Sequence, residues 1–578
     1  MKKYILFILI LPYFISAQVG FGTLNPKGML EISSSDSGMV IPRVTSINDV
    51  TDGNGNPAVD GTIVYDISLD KICFKTECCW ISVGKDINGN TTMEVINTPV
   101  TQVSNYIKAS NTDGADQFGF SISISGDGSR MAVSAKSENS NATGINGDQS
   151  NNSTSNAGAV YVFKKSGAVW AQEAYIKSSN TDINDRFGQS VSLSADGTRL
   201  AVGASNEDSN ATGINGDQSN NSAPSSGAVY IFSRSGTTWT QEAYIKASNA
   251  QSGDNFGFYV SLDDDASRIA VGAYFEDSNA TGINGDQSNN SASKAGAVYV
   301  FSRTGTTWSQ ETYIKASNSE TGDWFGRALS LSSDGLRLAV GAYKEKSNAT
   351  GIGGNQSDNS LTQSGAVYIF SRSGTIWTQE TYIKASNTET WDGFGYSLSL
   401  SKDASSLAIG AIGEDSNATG IGGNQSDNNA DGSGAVYLFS RSGTIWTQEA
   451  YIKASNTGSG DGFGWGLSLN RNGTRLAVGA FYEASNAIGI DGDETDNSAS
   501  FSGAAYLFGG NATTWTQEIY IKASNAEAWD EFGIGISLSG DGCIIAVGAT
   551  AEKSNATGIN GDQSNNSLSN SGAVYIIE

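Results

Sequence analysis

The sequence predicts an all-β protein: a seven-bladed β-propeller of four-stranded antiparallel blades, closed by an N-terminal strand and preceded by a small β-rich module. Three observations predict this fold class. A unit of fixed length occurs seven times, each unit contains four short strand patterns, and the strand pattern missing from the last unit stands before the first one.

Three short motifs define the repeat. Phe-Gly recurs at intervals of 69 residues, "AVGA" or a close variant begins 14 residues after each Phe, and "GAVY" or "GAAY" begins 40 residues after it. The seven Phe residues are Phe118, Phe187, Phe256, Phe325, Phe394, Phe463 and Phe532. Because no unit has gained or lost a residue, we infer recent duplication and a unit whose length is fixed by geometry.

The four strand patterns follow one another in each unit. The first, "FGFSISIS" from Phe118, alternates apolar and small residues with a period of two. The turn "SADGTR" from Ser194 contains Asp-Gly, which suits a tight hairpin. The second and third patterns, "RLAVGA" and "GAVYIF", are apolar at nearly every position, as expected of strands covered on both faces. A second tight turn leads to the fourth pattern, "WTQEAYIKA".

The two ends of the repeat region predict a closed ring. The last unit stops at Glu578 after its third strand, and the missing fourth pattern, "NYIKAS", stands at Asn105 to Ser110. We expect this N-terminal strand to complete blade seven and to hide the edges that an open array would expose. An open solenoid is the alternative, but it would not need this permutation.

The first residues predict export. Lys2 and Lys3 precede an apolar run that ends in the small-residue cleavage site Ile15-Ser16-Ala17, so residues 1–17 are expected to be a signal peptide. This apolar run is short for a membrane span, and the sequence has no second one. The mature chain is expected to be periplasmic, at the cell surface or secreted, with residues 18–97 as the small β-rich module and residues 98–578 as the propeller.

The composition narrows the class of protein. The chain has 34 Lys and Arg against 59 Asp and Glu, a net charge of −25, which disfavours binding to nucleic acid or anionic lipid. The chain has no His, the commonest general base and metal ligand. No nucleophile–base pair, zinc spacing or phosphate loop is visible. The sequence therefore predicts that the protein is not an enzyme, although acid pairs from different blades could still converge.

Three of the four Cys residues lie close together at Cys73, Cys78 and Cys79. In an exported protein, Cys73 could form a disulfide with Cys78 or Cys79. A zinc site is the alternative interpretation, although no His is available to complete it. Cys543 stands alone and is expected to be a small core residue.

The motifs resemble the FG-GAP repeats of the integrin α-subunit propeller over residues 98–578. The resemblance is specific for fold and much less so for function, because such repeats serve adhesion proteins and enzymes alike. Integrin repeats that bind calcium carry an acidic loop in the first hairpin. Here that hairpin is too short, as in Gly126-Asp127-Gly128, and only Asp263-Asp264-Asp265 approaches the pattern. The integrin metal site is therefore not carried over.

The N-terminal module resembles the N-terminal segment of many exported Bacteroidetes proteins, including fibre-like ones. The resemblance rests on "VGFGTLNPKGMLEI", "GMVIPRV", "GTIVYD" and "CFKTECCWISV". It implies a module for attachment or oligomerisation.

The polar stretch "EDSNATGINGDQSNNS" connects the second strand to the third. It occurs identically from Glu207 and Glu276, and near-copies occupy the same place in the other five units. These loops and the blade-to-blade loops share one rim, the loop face, whereas the tight turns form the hairpin face. Oxygen-rich loops suit Ca²⁺, and the alternative is self-folded Asx turns without an ion. The candidate calcium ligands are Asn215, Asp217, Asn220, Asn284, Asp286, Asn289, Asp358, Asp427, Asp491, Asp493, Asp496 and Asp562.

Three further positions carry the same residue in every unit. The Asp two residues before Phe-Gly (Asp116 in unit one) and an Asn in the same loop (Asn111) are expected to stabilise turns. The Lys of "YIKAS" (Lys108) is expected to decorate an outer strand and blunt its edge.

The eleven Trp residues fall into three groups. Six recur at the start of the fourth strand and are expected to pack, and Trp80 belongs to the N-terminal module. The other four lie beside Phe-Gly in units four to seven, where they could bind a ligand such as a glycan or fill gaps between blades. These four are Trp324, Trp391, Trp465 and Trp529.

Together these features predict an exported, non-enzymatic binding protein for adhesion or surface attachment, which recognises a glycan or protein through the loop face. A structural component of an envelope or fibre assembly is the alternative. An enzyme acting on polysaccharides is a third hypothesis.

Overall fold

The computed structural model describes residues 19–21, 30–32, 43–44, 62–67, 71–75, 79–85, 91–97, 102–510 and 514–578. The predicted signal peptide lies outside the described residues. The chain divides into two compact units, Met1–Thr98 and Pro99–Glu578.

The described part of the N-terminal unit contains two sheets. Strands β1 (Val19–Phe21) and β2 (Leu30–Ile32) form a parallel pair. A five-stranded sheet follows in sequence order, from β3 (Arg43–Val44), β4 (Ile63–Asp66), β5 (Lys71–Lys75) and β6 (Cys79–Lys85) to β7 (Thr91–Asn97). β3 and β4 are parallel, and the remaining neighbours are antiparallel. This confirms that the unit is rich in β-structure.

The second unit is a seven-bladed propeller of four-stranded antiparallel sheets. Blade one contains β9 (Phe118–Ile124), β10 (Arg130–Ala135), β11 (Ala159–Ser166) and β12 (Val169–Ile176). Blade two contains β13 (Phe187–Leu193), β14 (Arg199–Ala204), β15 (Ala228–Ser235) and β16 (Thr238–Ile245). Blade three contains β17 (Tyr259–Leu262), β18 (Arg268–Ala273), β19 (Ala297–Thr304) and β20 (Thr307–Ile314).

The remaining blades repeat this order. Blade four contains β21 (Ala328–Leu331), β22 (Arg337–Ala342), β23 (Ala366–Ser373) and β24 (Ile376–Ile383). Blade five contains β25 (Phe394–Leu400), β26 (Ser406–Ala411), β27 (Ala435–Ser442) and β28 (Ile445–Ile452). Blade six contains β29 (Leu467–Leu469), β30 (Arg475–Ala480), β31 (Ala504–Gly510) and β32 (Trp515–Ile521).

Blade seven is completed by a strand from the other end of the repeat region, as predicted. It contains β33 (Phe532–Leu538), β34 (Ile545–Ala549) and β35 (Ala573–Ile577), with β8 (Val103–Ile107) as its outermost strand. β8 runs antiparallel to β35, with Tyr106 opposite Tyr575. The exposed edge of the last repeat is therefore paired.

Two rings of hydrogen bonds join the innermost strands. In the first, a backbone N–H in each first hairpin donates to the carbonyl of the next hairpin at 2.8–3.1 Å, through Gly126, Ala195, Asp264, Ser333, Lys402, Arg471 and Gly540. Gly540 donates back to Gly126, so this ring closes. In the second, a Ser hydroxyl of each first strand accepts from a backbone N–H of the next blade, as in Leu193 to Ser123 at 3.0 Å and Ile124 to Ser537 at 3.1 Å.

The Phe-Gly and Gly-Ala-Val-Tyr motifs meet where neighbouring blades touch. Gly227 precedes β15 with φ at +81°, in the left-handed region that favours glycine. A Cβ at Gly227 would lie 2.1 Å from the carbonyl oxygen of Phe256 in the next blade. Both motifs are therefore requirements of blade packing.

The hydrophobic core lies between the blades. One cluster contains Val160 and Ala132 of blade one together with Phe187, Leu200 and Tyr230 of blade two. Because each blade is covered by a neighbour on both sides, its second and third strands are apolar at nearly every position. Trp170, Trp239, Trp308, Trp377 and Trp446 are 2–4% exposed, which confirms their packing role. Cys543 is buried, also as predicted.

The prediction that the repeated Lys decorates an outer edge is wrong. Lys246 is fully buried, and its Nζ lies 2.7 Å from Oε2 of Glu207, the first residue of the polar loop. β16 ends at Ile245, so strand alternation does not set the direction of the next side chain. All seven repeats contain this pair, beginning with Lys108 and Glu552 in blade seven.

The polar loop is anchored to its own blade around this ion pair. Tyr244 and Asn180 both donate to Oε1 of Glu207, at 2.9 Å each. Further along the loop, Asn215 donates its N–H to the carbonyl of Tyr244 at 2.8 Å, and Ile214 bridges to Ile245. The seven copies of this loop therefore share a structural role that explains much of their sequence.

The repeated Asp and Asn have the predicted structural roles. Asp185 is buried, and its Oδ2 accepts the backbone N–H of Asp182 at 2.9 Å. Burial raises the pKa of the Asp185 carboxyl to about 8. Asn180 accepts from the Tyr230 hydroxyl at 2.5 Å.

Candidate functional site

A cavity of about 180 Å³ lies on the propeller axis and is lined by the first strands of the blades. These strands begin at the loop face and end at the first hairpins. At the hairpin end, the carboxylate of Asp264 in blade three lies 3.0 Å from Lys402 Nζ of blade five and 2.8 Å from Arg471 Nη2 of blade six. These ion pairs and the hydrogen-bond ring of the hairpins restrict access to the cavity from the hairpin face. The candidate site is therefore the opening of the cavity at the loop face, which we call the channel mouth.

An unbroken series of aromatic rings follows this mouth from repeat three to repeat seven. We call it the aromatic arc. Consecutive ring centroids are 3.6–5.4 Å apart. Its members are Phe258, Tyr274, Phe275, Trp324, Tyr343, Tyr396, Trp465, Phe481, Tyr482, Phe501 and Trp529.

Two repeat positions supply most of the arc. One is two residues after the Phe of Phe-Gly, where Phe258, Tyr396 and Trp465 line the cavity. The other directly follows the second strand, where Tyr274 follows β18 and Phe481 follows β30. Repeats one and two carry Lys136 and Ser205 at the latter position. The scaffold is thus constant, and the aromatic character of the mouth is confined to part of the ring.

The structure brings three of the four predicted Trp residues into this arc. Trp324 and Trp465 are half-buried, with Trp465 4.0 Å from Phe481 and 4.6 Å from Tyr396 between centroids. Trp529 is 58% exposed and stacks on Phe501 at 4.4 Å and 18°. Trp391 is 59% exposed and has no ring partner in the described part of the chain.

The backbone at Trp391 and Trp529 favours glycine. Their φ values are +75° and +71°, and three other repeats carry glycine at the same position (Gly253, Gly322 and Gly460). A left-handed conformation costs an L-residue roughly 1–2 kcal/mol. The backbone conformation therefore requires a Trp at neither position, and at Trp391 no ring contact within the described residues requires it either.

Basic side chains accompany the rings at the mouth. The Arg327 guanidinium lies 3.6 Å from the Tyr396 centroid, Lys344 Nζ 3.5 Å from Trp324, and Lys294 Nζ 4.5 Å from Phe275. Lys136 lies over Phe120 at 3.3 Å. Burial and the charge of Arg186 lower the pKa of Lys136 to about 7.

The candidate calcium ligands are already engaged within their own loops. Oδ1 of Asp217 accepts from Ser219 N and Oγ at 2.9 and 2.6 Å. The same Asx turn recurs at Asp286, Asp493 and Asp562. Asn215, Asn284 and Asp491 each accept a backbone N–H of the fourth strand.

The other candidate ligands also serve their own loops. The carboxylates of Asp358, Asp427 and Asp496 accept hydrogen bonds from residues of the same loop. Asn220 and Asn289 accept backbone N–H groups of their loops at their backbone carbonyl oxygens. No group of three or more acidic or Cys side chains arranged for a metal occurs among the described residues. These loops therefore fit self-supporting turns better than the six to eight converging oxygens of a Ca²⁺ site. The calcium site stays a prediction.

The strand register of the N-terminal unit separates Cys73 from Cys79. Cys73 lies opposite Ser82 and has a free, buried thiol. Cys79 is three positions away along β6, about 10 Å at 3.3 Å per residue, whereas a disulfide needs Cα atoms within about 7 Å. In this register the two residues are too far apart for a disulfide, and the pairing of Cys73 with Cys78 stays a prediction. Cys78 lies outside the described residues.

The fold is a repeat propeller whose axial cavity is lined in part by aromatic side chains. FG-GAP repeats match the chain at residues 170–232, 239–301, 308–370, 377–439, 446–508 and 515–577, which together are more than half of it. The chain therefore belongs to the FG-GAP repeat family. Each match begins in the fourth strand of one blade and ends in the third strand of the next.

A second match covers the N-terminal unit. Residues 18–94 are similar to a phage tail like trimerisation region. This supports the prediction that the N-terminal module mediates oligomerisation. No curated protein matches the sequence. Within the described residues, no helix is long and apolar enough to cross a membrane.

Solved structures similar to this chain have low sequence identity. The β-propeller domain of Cps50 (Swd1) from Myceliophteria thermophila is 9% identical, with a TM-score of 0.41, and the match covers 79% of this chain and 97% of that one. Periplasmic gluconolactonase PpgL from Pseudomonas aeruginosa is 11% identical, with a TM-score of 0.39 and coverage of 78% and 93%. A putative 6-phosphogluconolactonase from Bacteroides uniformis is 9% identical, with a TM-score of 0.38 and coverage of 77% and 93%.

These matches correct the prediction that the protein is not an enzyme. Two of the similar structures are described as lactonases, so the propeller gives no ground for ruling catalysis out. At 9% and 11% identity they do not establish an activity for this chain either.

Proposed function

We propose that this protein is exported and oligomeric, and that it binds a carbohydrate at the mouth of the propeller channel, in adhesion or surface attachment. The observation that carries the proposal is the aromatic arc, which runs without a break across consecutive repeats on the loop face. Clusters of aromatic side chains at a concave, partly exposed position are typical of ligand sites.

The chemistry of the arc suits a sugar. The C–H faces of a pyranose ring are apolar and stack on indole or phenol rings. The indole of Trp529 and the phenyl ring of Phe501 lie side by side, and neighbouring Tyr482 is 37% exposed. Polar loop residues surround these rings and supply donors and acceptors for hydroxyl groups.

Export and oligomerisation add to the proposal. The N-terminal apolar segment has the pattern of a signal peptide, and FG-GAP repeats typically occur in extracellular or periplasmic proteins. A trimer formed through residues 18–94 would carry three channel mouths. Linked sites bind a repetitive polymer more tightly than single sites do, which suits attachment to a polysaccharide surface.

A structural role in a fibre or envelope assembly is the second candidate. The similarity of residues 18–94 to a phage tail like trimerisation region favours it. In that case the propeller would serve as a building block and no sugar would bind at its mouth.

A glycan array with the mature chain, residues 18–578, tests the first candidate. The proposal expects a set of bound glycans whose signal falls strongly in Trp529→Ala and Trp391→Ala. Ile445→Ala is the matched control, because Ile445 is 70% exposed beside the second tight turn of its blade. Binding that is equal in all four proteins, or no binding at all, would favour the structural role.

A further inference from the structure

The basic side chains of the channel mouth belong to the minority of basic side chains in the propeller that form no ion pair within the described residues. Most Lys and Arg residues of the blades form ion pairs, including all seven buried Lys residues. In the described part of the chain, no ion pair involves Lys136, Arg186, Lys294, Arg327 or Lys344. Arg186 and Lys294 are also exposed.

Repulsion acts within two groups of these cations, one of Lys294, Arg327 and Lys344 and one of Lys136 and Arg186. The charges of Lys294 and Arg327 add to burial in lowering the pKa of Lys344, and the charge of Arg186 adds to burial in lowering that of Lys136. Arg186 and Lys294 line one cavity at the loop face together with Phe258, Tyr274 and Phe275. Glu531 is the acidic group that faces Lys136, and its carboxylate accepts from the Thr550 hydroxyl at 2.7 Å.

Uncompensated positive charge at this place is unexpected on a chain of net charge −25. Like charges held together destabilise a fold, and a concave surface of one sign concentrates ligands of the opposite sign. Stacking on Phe275 and Trp324 keeps Lys294 and Lys344 beside the rings that would contact a sugar.

We propose that the channel mouth is an anion-binding site and that its ligand is an acidic polysaccharide, with its carboxylate or sulfate groups bound by these five cations. This inference rests on the proposed carbohydrate function and specifies its substrate class. The aromatic arc contacts the sugar rings, while Arg186 and Lys294 at the rim contact the anionic groups. Guanidinium and ammonium groups suit both kinds of anion.

Calorimetric titration of the mature chain with three probes tests this. The probes are hexagalacturonate, its fully methyl-esterified form, and a sulfated galactan hexasaccharide. The inference expects binding of at least one anionic probe, binding that weakens in 0.5 M NaCl, and much weaker binding of the neutral ester. The carboxylate and sulfate probes distinguish the two sources of charge.

Single substitutions test whether Arg186 and Lys294 bind the anionic groups of the ligand. Arg186→Gln and Lys294→Gln each remove an exposed cation, and each is expected to lower affinity for the anionic probe about tenfold or more. Lys164→Gln is the control and should bind like the unchanged chain. Lys164 is exposed and forms no ion pair within the described residues, but it lies towards the hairpin end of β11. Binding of the neutral ester as tightly as the acid would overturn the inference and leave the carbohydrate function standing. Failure of all three probes to bind would also overturn the inference, whereas the carbohydrate function falls only if the glycan array shows no bound glycan.

Discussion

Lys108 Nζ lies 2.8 Å from Glu552 Oε2, although the two residues stand at opposite ends of the repeat region. The pair is buried, with side-chain exposures of 0% and 1%. In the other six repeats, the Glu and the Lys of this pair belong to one continuous segment. The Glu begins the loop after the second strand, and the Lys follows the fourth strand. This ion pair and the pairing of β8 with β35 therefore hold the ring closed.

Removing the closing strand should open the propeller. Deleting residues 98–110 leaves Glu552 buried without its cation and β35 without its outer neighbour. We expect a clear loss of thermal stability, measured by calorimetry. Moving residues 98–110 to follow Glu578 should restore much of the loss. A melting temperature equal to that of the intact protein would show that β8 does not close the ring.

Breaking one buried ion pair inside a blade should be costly. Lys246→Met leaves the Glu207 carboxylate buried without a cation, which destabilises proteins by about 3–5 kcal/mol. Urea unfolding measures this, and the double change Lys246→Met with Glu207→Gln should recover part of the loss. Lys164→Met, on an exposed Lys, serves as the control. Equal effects of the two Lys changes would contradict the buried network.

The ring of buried Asp residues predicts falling stability from about pH 4 to pH 8. Burial raises the pKa of Asp116, Asp185 and Asp254 to about 8, against roughly 3.9 in an unfolded chain. As pH rises, the unfolded chain releases these protons before the folded chain does. The contribution of these carboxyls to the free energy of unfolding is therefore fully present below about pH 4 and is lost as pH rises through their folded pKa.

The variant Asp185→Asn isolates one of these groups. It should match the unchanged protein near pH 4 and become relatively more stable at pH 8, as measured by urea unfolding at both values. Asp217→Asn, in an exposed loop, is the control and should show no such trend. A wild-type stability that rises over this range would contradict the assignment.

Substitutions at Trp465 and Trp391 should have opposite effects on the free energy of unfolding. Trp465→Ala removes ring contacts with Tyr396 and Phe481, worth roughly 0.5–1.5 kcal/mol each. Trp391→Gly relieves a left-handed backbone at an exposed position and should raise the free energy of unfolding by up to about 1–2 kcal/mol. If Trp391→Gly destabilised the protein as much as Trp465→Ala, Trp391 would be a packing residue and not free to bind a ligand.

The sequence predicted the fold because each blade-forming motif is a local pattern repeated at one period. The fourth-strand pattern that stands before the first repeat also predicted the closure, in which β8 pairs with β35. The burial of Lys246 could not be predicted, because it depends on a Glu that is distant in sequence and on the chain direction after a strand has ended. The sequence predicted only the Trp members of the aromatic arc, Trp324, Trp465 and Trp529. Tyr274 and Phe481 directly follow an apolar strand, where they resemble its continuation, and only the comparison of repeats at that position would have separated them.

The central claim is that a carbohydrate binds at the channel mouth, and a crystal structure of the mature chain with a bound acidic oligosaccharide tests it most directly. The account predicts a pyranose ring stacked on a ring of the aromatic arc, at Trp529 or Phe501, with an anionic group within hydrogen-bond distance of Lys294 or Arg186. A saccharide bound on the hairpin face or outside the blades, with the channel mouth unoccupied, would contradict it.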